Sequence, residues 1–440
     1  MRTTTYKSIL VAALAAMLLP STASAYDFEY EGIYYNILDS ANVEVTHDIE
    51  GAYTGFVDIP DAVSYDGNVY QVTAIGEAAF YHCKTLTGVS IPDAVTRIEA
   101  VAFNYCVLLG NVDLPSSLNY IGSAAFGRCP AMTRIFIPKF VNRIEAGAFS
   151  ECPGLETIQV ESGNSTYSSG STNTIIFRPT HLLVAGCKNS VISSNVWYIG
   201  DYAFYGCEGL KELNLPSSIK SIGDWSFDRC DSLTSVELPT SVYYIGYGAF
   251  SNCRSLQRFS AEEVEYIGMF AFAACHKLTD VNLGHSLTWI DKEAFDWCDA
   301  LETIDLPESL NKISADAFSA CTALTTVICR ATTPPAATDA FAESYFGDIY
   351  DQVTLYVPRE SIDAYAVADE WSKFSPILPI VVGAGPGDVD GDGAIGISDV
   401  SNLIDDLLNG NALAGNADVD GDGEVTINDV AVLIDMLLAL

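Results

Sequence analysis

Ten phenylalanines, each followed three residues later by a cysteine, recur at an almost constant spacing through the middle of this 440-residue chain. They are Phe80, Phe103, Phe126, Phe149, Phe204, Phe227, Phe250, Phe272, Phe295 and Phe318, with cysteines from Cys83 to Cys321; the step is 23 residues, apart from one of 22 and one of 55. A unit this short cannot bury its apolar face alone, whereas a stack of such units can, so the period dictates a solenoid. In the unit that starts at Tyr198, a turn is entered at Ile199-Gly200 and a short helical or irregular segment carries Ala203-Phe204 and Cys207. A three-residue strand, Leu213-Asn214-Leu215, follows and is stopped by Pro216. The long step adds 32 residues, expected as an insertion at about 161–197 with a hairpin from Thr174 to Val184.

These units resemble the BspA-type leucine-rich repeats common on surface and secreted proteins of mouth and gut Bacteroidetes. The resemblance runs from about Tyr26 to Ile380. It implies an α/β solenoid of about ten units over 74–330, with an N-terminal cap at 26–73 and a C-terminal cap at 331–380. Characterised members are adhesins, which implies a host or bacterial surface protein or a glycan as partner.

Near the C-terminus two acidic loops lie thirty residues apart, one from Asp388 to Asp399 and one from Asp418 to Asp429. Calcium takes six to eight oxygens, and an EF-hand loop supplies them from positions 1, 3 and 5, a carbonyl at 7 and a carboxylate at 12. The first loop offers Asp388, Asp390, Asp392, the Ala394 carbonyl and Asp399; the second offers Asp418, Asp420, Asp422, the Glu424 carbonyl and Asp429. Gly393 and Gly423 take the sharp turn, and Ile395 and Val425 at position 8 would pair the loops. Two calcium ions are expected. No helix can enter the first loop, because Val381-Val-Gly-Ala-Gly-Pro-Gly precedes it. Only exiting helices remain, Ser398 to Asn409 and Asn428 to Leu440, with inner positions Val400, Leu403, Leu407 and Val430, Leu433, Leu437.

A duplicated loop with an exiting helix resembles the type I dockerin, over 387–440, behind a Gly/Pro linker at 381–386. The resemblance implies a small all-α calcium-binding module that docks onto a cohesin-like domain. Partner contacts carried over residue by residue are Ile397, Ser398, Ile404 and Asp405 in the first half and Ile427, Asn428, Ile434 and Asp435 in the second. The best-known dockerins carry hydroxyl residues at the first pair and basic residues at the second, and this chain departs from both.

Residues 1–25 read as a secretory signal: Arg2 and Lys7, an apolar run from Ile9 to Leu19, then Ala23-Ser24-Ala25. No cysteine precedes Cys83, so there is no lipobox, and no later apolar run is long enough to span a membrane. The expected destination is extracellular or the cell surface. A net charge of −36 repels nucleic acid and anionic lipid. The ten register cysteines are expected to be buried thiols, about 5 Å apart along the stack. Cys187 and Cys329, outside the register, are the candidates for a disulfide.

Nothing in the sequence supports catalysis. His47, His82, His181, His276 and His285 have no metal spacing, and there is no nucleophile elbow or phosphate loop. Binding surfaces remain. The outward strand position is mostly polar and acidic, as at Asn214, Glu237 and Asp305, while the position before each turn isoleucine carries Tyr244, Tyr266 and Trp289 in adjacent repeats. Such a row suits partner contact or flank packing. The expectation is a secreted non-catalytic binding protein, with two alternatives: a host-directed adhesin whose calcium module is structural, or a non-catalytic subunit of an extracellular glycan-degrading assembly.

Overall fold

The computed structural model describes residues 26–341, 349–350, 352–380, 387–389, 395–409, 417–421 and 425–439. The signal segment and the linker lie outside them. The described residues divide into two compact units, one drawn from residues up to 218 with 225–230, the other from 219–224 with residues from 231 onward.

Each unit is a β-solenoid held by columns of equivalent residues. In the first, the phenylalanine rings stack nearly parallel, Phe80 on Phe103 at 4.8 Å and Phe103 on Phe126 at 5.2 Å. In the second, Phe250, Phe272, Phe295, Phe318 and Phe341 stack at 5.0 to 5.5 Å. Aromatic side chains close the column ends, Tyr53 on Phe80 and Phe374 on Phe341.

Hydrogen bonding explains why a cysteine follows each phenylalanine. The Phe80 carbonyl accepts the Cys83 amide three residues on, at 3.1 Å, and the thiol of Cys106 in the next repeat, at 3.0 Å. Cys129, Cys152, Cys275, Cys298 and Cys321 repeat the thiol bond. A thiol is thus the small buried donor for a second carbonyl lone pair. All twelve cysteines are buried and unbridged. Cys187 and Cys329 therefore depart from the expected pairing: Cys187 accepts from Ser190 Oγ at 3.8 Å and Cys329 from the Tyr365 hydroxyl at 3.2 Å.

Two further differences concern local structure. The expected turn at Ile-Gly contains a two-residue parallel strand in each unit, such as Arg97–Ile98, Tyr120–Ile121 and Arg143–Ile144. Where a glycine follows this strand, as Gly122 does, it allows close packing between repeats: a Cβ there would lie 2.4 Å from the Ala100 nitrogen. The expected Leu-x-Leu strand forms in several repeats, such as Thr303–Leu306 beside Thr326–Cys329, but residues 213–215 form no strand. Residues 111–115 form none either; there the Asn111 side chain accepts the Thr133 and Arg134 amides at 3.0 and 2.9 Å in place of a backbone carbonyl. Between column residues the chain is turn rather than helix, with left-handed backbone two residues before and two after the phenylalanine, as at Ala78 and His82 or Val101 and Tyr105.

The insertion packs into the stack beside the repeat that follows it, with Gly186 against the Phe204 ring. Thr174–Phe177 and Leu182–Gly186 pair antiparallel, and Leu182–Leu183 runs parallel to Tyr198–Ile199. The Glu151 amide donates to the Tyr205 carbonyl at 2.7 Å, so the repeats before and after the insertion meet directly.

The segment that follows the last repeat, expected as a C-terminal cap, is organised by one buried carboxylate, Glu370. It accepts from the amides of Asp339 and Ala340, the Tyr350 hydroxyl and Lys373 Nζ, at 2.7 to 3.0 Å. Burial raises its pKa, but the bonds from Tyr350, Lys373 and Ala340 outweigh this and hold it below the usual glutamate value.

Candidate metal centre and binding surfaces

Two amphipathic helices, α1 (Ile397–Asn409) and α2 (Ile427–Ala439), leave the acidic loops. Val389, Leu403, Ala417, Val419, Val430 and Leu433 form their small core, with Ile395 and Val400 packed against it. Two expected inner positions differ: Leu407 is exposed, and so is Val425 of the presumed loop pair. A core this small leaves the ends of the helices and loops in water.

The loop-closing carboxylates are fully buried and bind backbone. Asp399 accepts the Val389 and Gly396 amides at 2.8 and 2.7 Å. Asp429 accepts those of Val419, Asp420 and Thr426 at 2.7, 3.2 and 2.7 Å. Each Asp thereby ties the start of its loop to the first turn of its helix, where the positive end of the helix dipole favours a carboxylate. Asp390, Asp392, Ala394, Asp422 and Glu424 lie outside the described residues. Among those described, the carboxylate oxygens of Asp418, Asp420 and Asp429 lie within 4.8 Å of one another. Oxygens bound to one calcium at about 2.4 Å are at most about 4.8 Å apart, so the donor set and its spacing fit that ion. Without a cation, three converging carboxylates repel one another.

All eight residues assigned to partner contact are exposed, Ile397 at 81%, Ile427 at 70%, Ile434 at 41% and Ile404 at 37%, along with Ser398, Asp405, Asn428 and Asp435. The isoleucines therefore do not serve the module's own core. Leu408 and Leu438 extend the two apolar faces at matching places, 76% and 81% exposed. Their internal spacing, thirty residues apart like the loops, was the signal available in the sequence.

On the second solenoid unit, Tyr244, Tyr266 and Trp289 stand on neighbouring parallel strands. Tyr244 stacks on Tyr266 at 5.2 Å, Trp289 meets Tyr266 edge-on at 5.1 Å, and Lys312 Nζ covers the indole at 4.0 Å. Tyr266 donates to Asp291 at 2.6 Å and Trp289 Nε1 to Ser314 at 3.0 Å; burial and the Asp291 charge push the Tyr266 phenol up. Tyr266 thus has a ring neighbour in the repeat on either side, and the row packs on itself. On the strand face, Asp305 is held by Arg330 through two bonds of 2.8 and 2.7 Å.

Comparison with known proteins agrees with this architecture. A family profile described as "BspA type Leucine rich repeat region" matches in six copies over residues 69–174, 184–263 and 260–356. The "Dockerin type I domain" profile matches residues 386–438. Among solved structures, a leucine-rich repeat protein from Eubacterium ventriosum is 23% identical over 71% of this chain and 91% of its own, with a TM-score of 0.53. One from Bacteroides ovatus is also 23% identical, over 81% of this chain and 100% of its own, with a TM-score of 0.44. No curated protein matches significantly. The two matched modules are binding modules, one of them for docking onto cohesin.

Proposed function

Since the chain belongs to the BspA-type leucine-rich repeat family and ends in a type I dockerin, we propose that it is a secreted, non-catalytic binding protein that carries its recognition surface into an assembly. In this reading residues 1–25 direct export, the solenoid contacts a host or bacterial surface protein or a glycan, and residues 387–440 dock onto a cohesin-like domain. Two calcium ions hold the docking module, one in each loop. Asp388, Asp390, Asp392, Asp399 and the Ala394 carbonyl would hold the first; Asp418, Asp420, Asp422, Asp429 and the Glu424 carbonyl would hold the second. The ions would neutralise the loops and link each to its exiting helix.

One observation supports this most. The residues that the dockerin resemblance assigns to partner contact are all on the solvent side of α1 and α2, although four of them are isoleucines. Isoleucine is among the most often buried residues, so four exposed at equivalent places in two halves indicate a surface completed by a partner. No described helix is long and apolar enough to cross a membrane.

The test is calorimetric titration of the whole chain with a panel of purified type I cohesins, in calcium and in chelator. Binding should require calcium and should be lost in the double variant Ile404→Asp, Ile434→Asp. If no cohesin binds in calcium, or the variant binds as well as the native chain, the docking assignment is wrong.

A further inference from the structure

The aromatic row of the second unit ends at a pocket that none of the assignments above uses. Lys312, Ser314, Pro334, Pro335, Thr338 and Asp369 line it, together with Glu370, and its volume is about 530 Å³. That lies within the range of small-molecule sites. Two of its lining residues are the ones that clasp Trp289: Lys312 Nζ rests 4.0 Å from the ring centroid, and Ser314 Oγ accepts from the indole at 3.0 Å. The ammonium is therefore ordered before any ligand arrives.

Charge selects what such a pocket takes. Lys292 and Lys373 nearby are paired with Glu293 and Glu370, at 2.8 and 2.9 Å. Lys312 has no ion-pair partner among the described residues and is exposed at the pocket mouth. Glu370 offers little repulsion there, because backbone amides, Tyr350 and Lys373 take up its carboxylate. Asp369 is exposed on the rim and carries a negative charge. A ligand with one anionic group fits, whereas a polyanion would meet Asp369. Around that single cation the lining is of two kinds. The Thr338 hydroxyl can donate to and accept from sugar hydroxyls, the Asp369 carboxylate can accept from them, and Pro334, Pro335 and Ala336 form an apolar wall suited to the C–H face of a pyranose.

We propose that this pocket binds an acidic sugar, a uronic-acid residue whose carboxylate sits on Lys312 while its hydroxyls meet Thr338 and Asp369. The proposal deepens the reading of the solenoid as a recognition surface and rests on it. The Trp289 indole fixes the cation, and the neighbouring rings form the approach along the flank.

The experiment titrates the whole chain with methyl glucuronoside, which carries a single carboxylate, with neutral methyl glucoside and with N-acetylglycine, a monocarboxylate that is not a sugar, by calorimetry and saturation-transfer NMR. Methyl glucuronoside should bind, and Lys312→Met, which keeps an apolar stem over Trp289 without the charge, should weaken it at least tenfold at unchanged melting temperature. A second variant, Ala336→Trp, should fill the pocket and abolish binding. Methyl glucoside binding as tight as the glucuronoside, with Lys312→Met unaffected, would overturn the charge selection. N-acetylglycine binding as tightly would overturn the sugar class. If no probe binds, the pocket proposal is wrong, while a glycan and matrix-protein array on the same chain tests the solenoid separately: a hit there keeps the recognition reading, and a blank array sinks both.

Discussion

Asp429→Ala separates the structural from the metal-binding work of the docking module. The native carboxylate is fully buried and accepts three backbone amides, two of them at 2.7 Å, from Val419 and Thr426. Hydrogen bonds to a charged group contribute about 1.5–3 kcal/mol each. Discarding the longer bond from Asp420, the substitution should cost about 3–6 kcal/mol even before any calcium ligand is lost. A domain the size of residues 386–438 is stable by roughly 3–8 kcal/mol. The cost is comparable with the whole stability of such a domain, so the second half should lose most of its exchange protection, and calcium should restore little of it because the variant has also lost a ligand. Asp420→Ala offers the contrast, because its carboxylate is exposed and converges on the metal position without closing the loop. It should weaken calcium binding at that site yet keep the fold when calcium is saturating. The assay is hydrogen exchange read by mass spectrometry over Val419–Ala439 of the whole chain, with calcium titrated by calorimetry. Native protection in Asp429→Ala at saturating calcium would refute the loop-closing account, and so would equal loss in both variants.

Three further outcomes are expected. The ten register thiols should resist alkylation in the folded chain and label almost completely after unfolding without reductant, because all ten are buried and free, and burial pushes Cys152 and Cys207 up to about 12; persistent protection would mean disulfides. Asp296, raised by burial to about 6 and with one buried oxygen lacking a partner, disfavours its charged form in the fold. The stability it contributes is fully present below the ordinary aspartate value and lost as pH rises through about 6, so Asp296→Asn should stabilise the chain at pH 7 by about 1.5 kcal/mol, half the fully buried value, and should bring no gain at pH 3. A melting temperature unchanged at pH 7 would exclude that. Finally, Tyr266→Ala with Trp289→Ala removes a stacked and hydrogen-bonded pair and should cost about 3–5 kcal/mol of stability, whatever it does to binding; unchanged melting would place the row outside the packing.

How much was legible depended on the length scale of the cause. The 23-residue period and the two acidic loops follow from residue type and spacing alone, because a repeat with one buried ring per unit has only one way to hide it, and calcium ligands must recur at set loop positions. The details needed the fold. A strand rather than a turn at Ile-Gly arises because the backbones of neighbouring repeats pair there, Ile98 with Ile121 and Ile121 with Ile144, a contact that no single repeat contains. Left-handed Val101 and Tyr105 have no sequence mark, since nothing local favours them and only bonds to the next repeat hold them. Spacing could align Tyr244, Tyr266 and Trp289, but not show that they cover one another and that Lys312 covers the last. The pocket beside Lys312 joins a repeat to a cap segment more than fifty residues away, a juxtaposition that only folding the cap back onto its neighbouring strands creates.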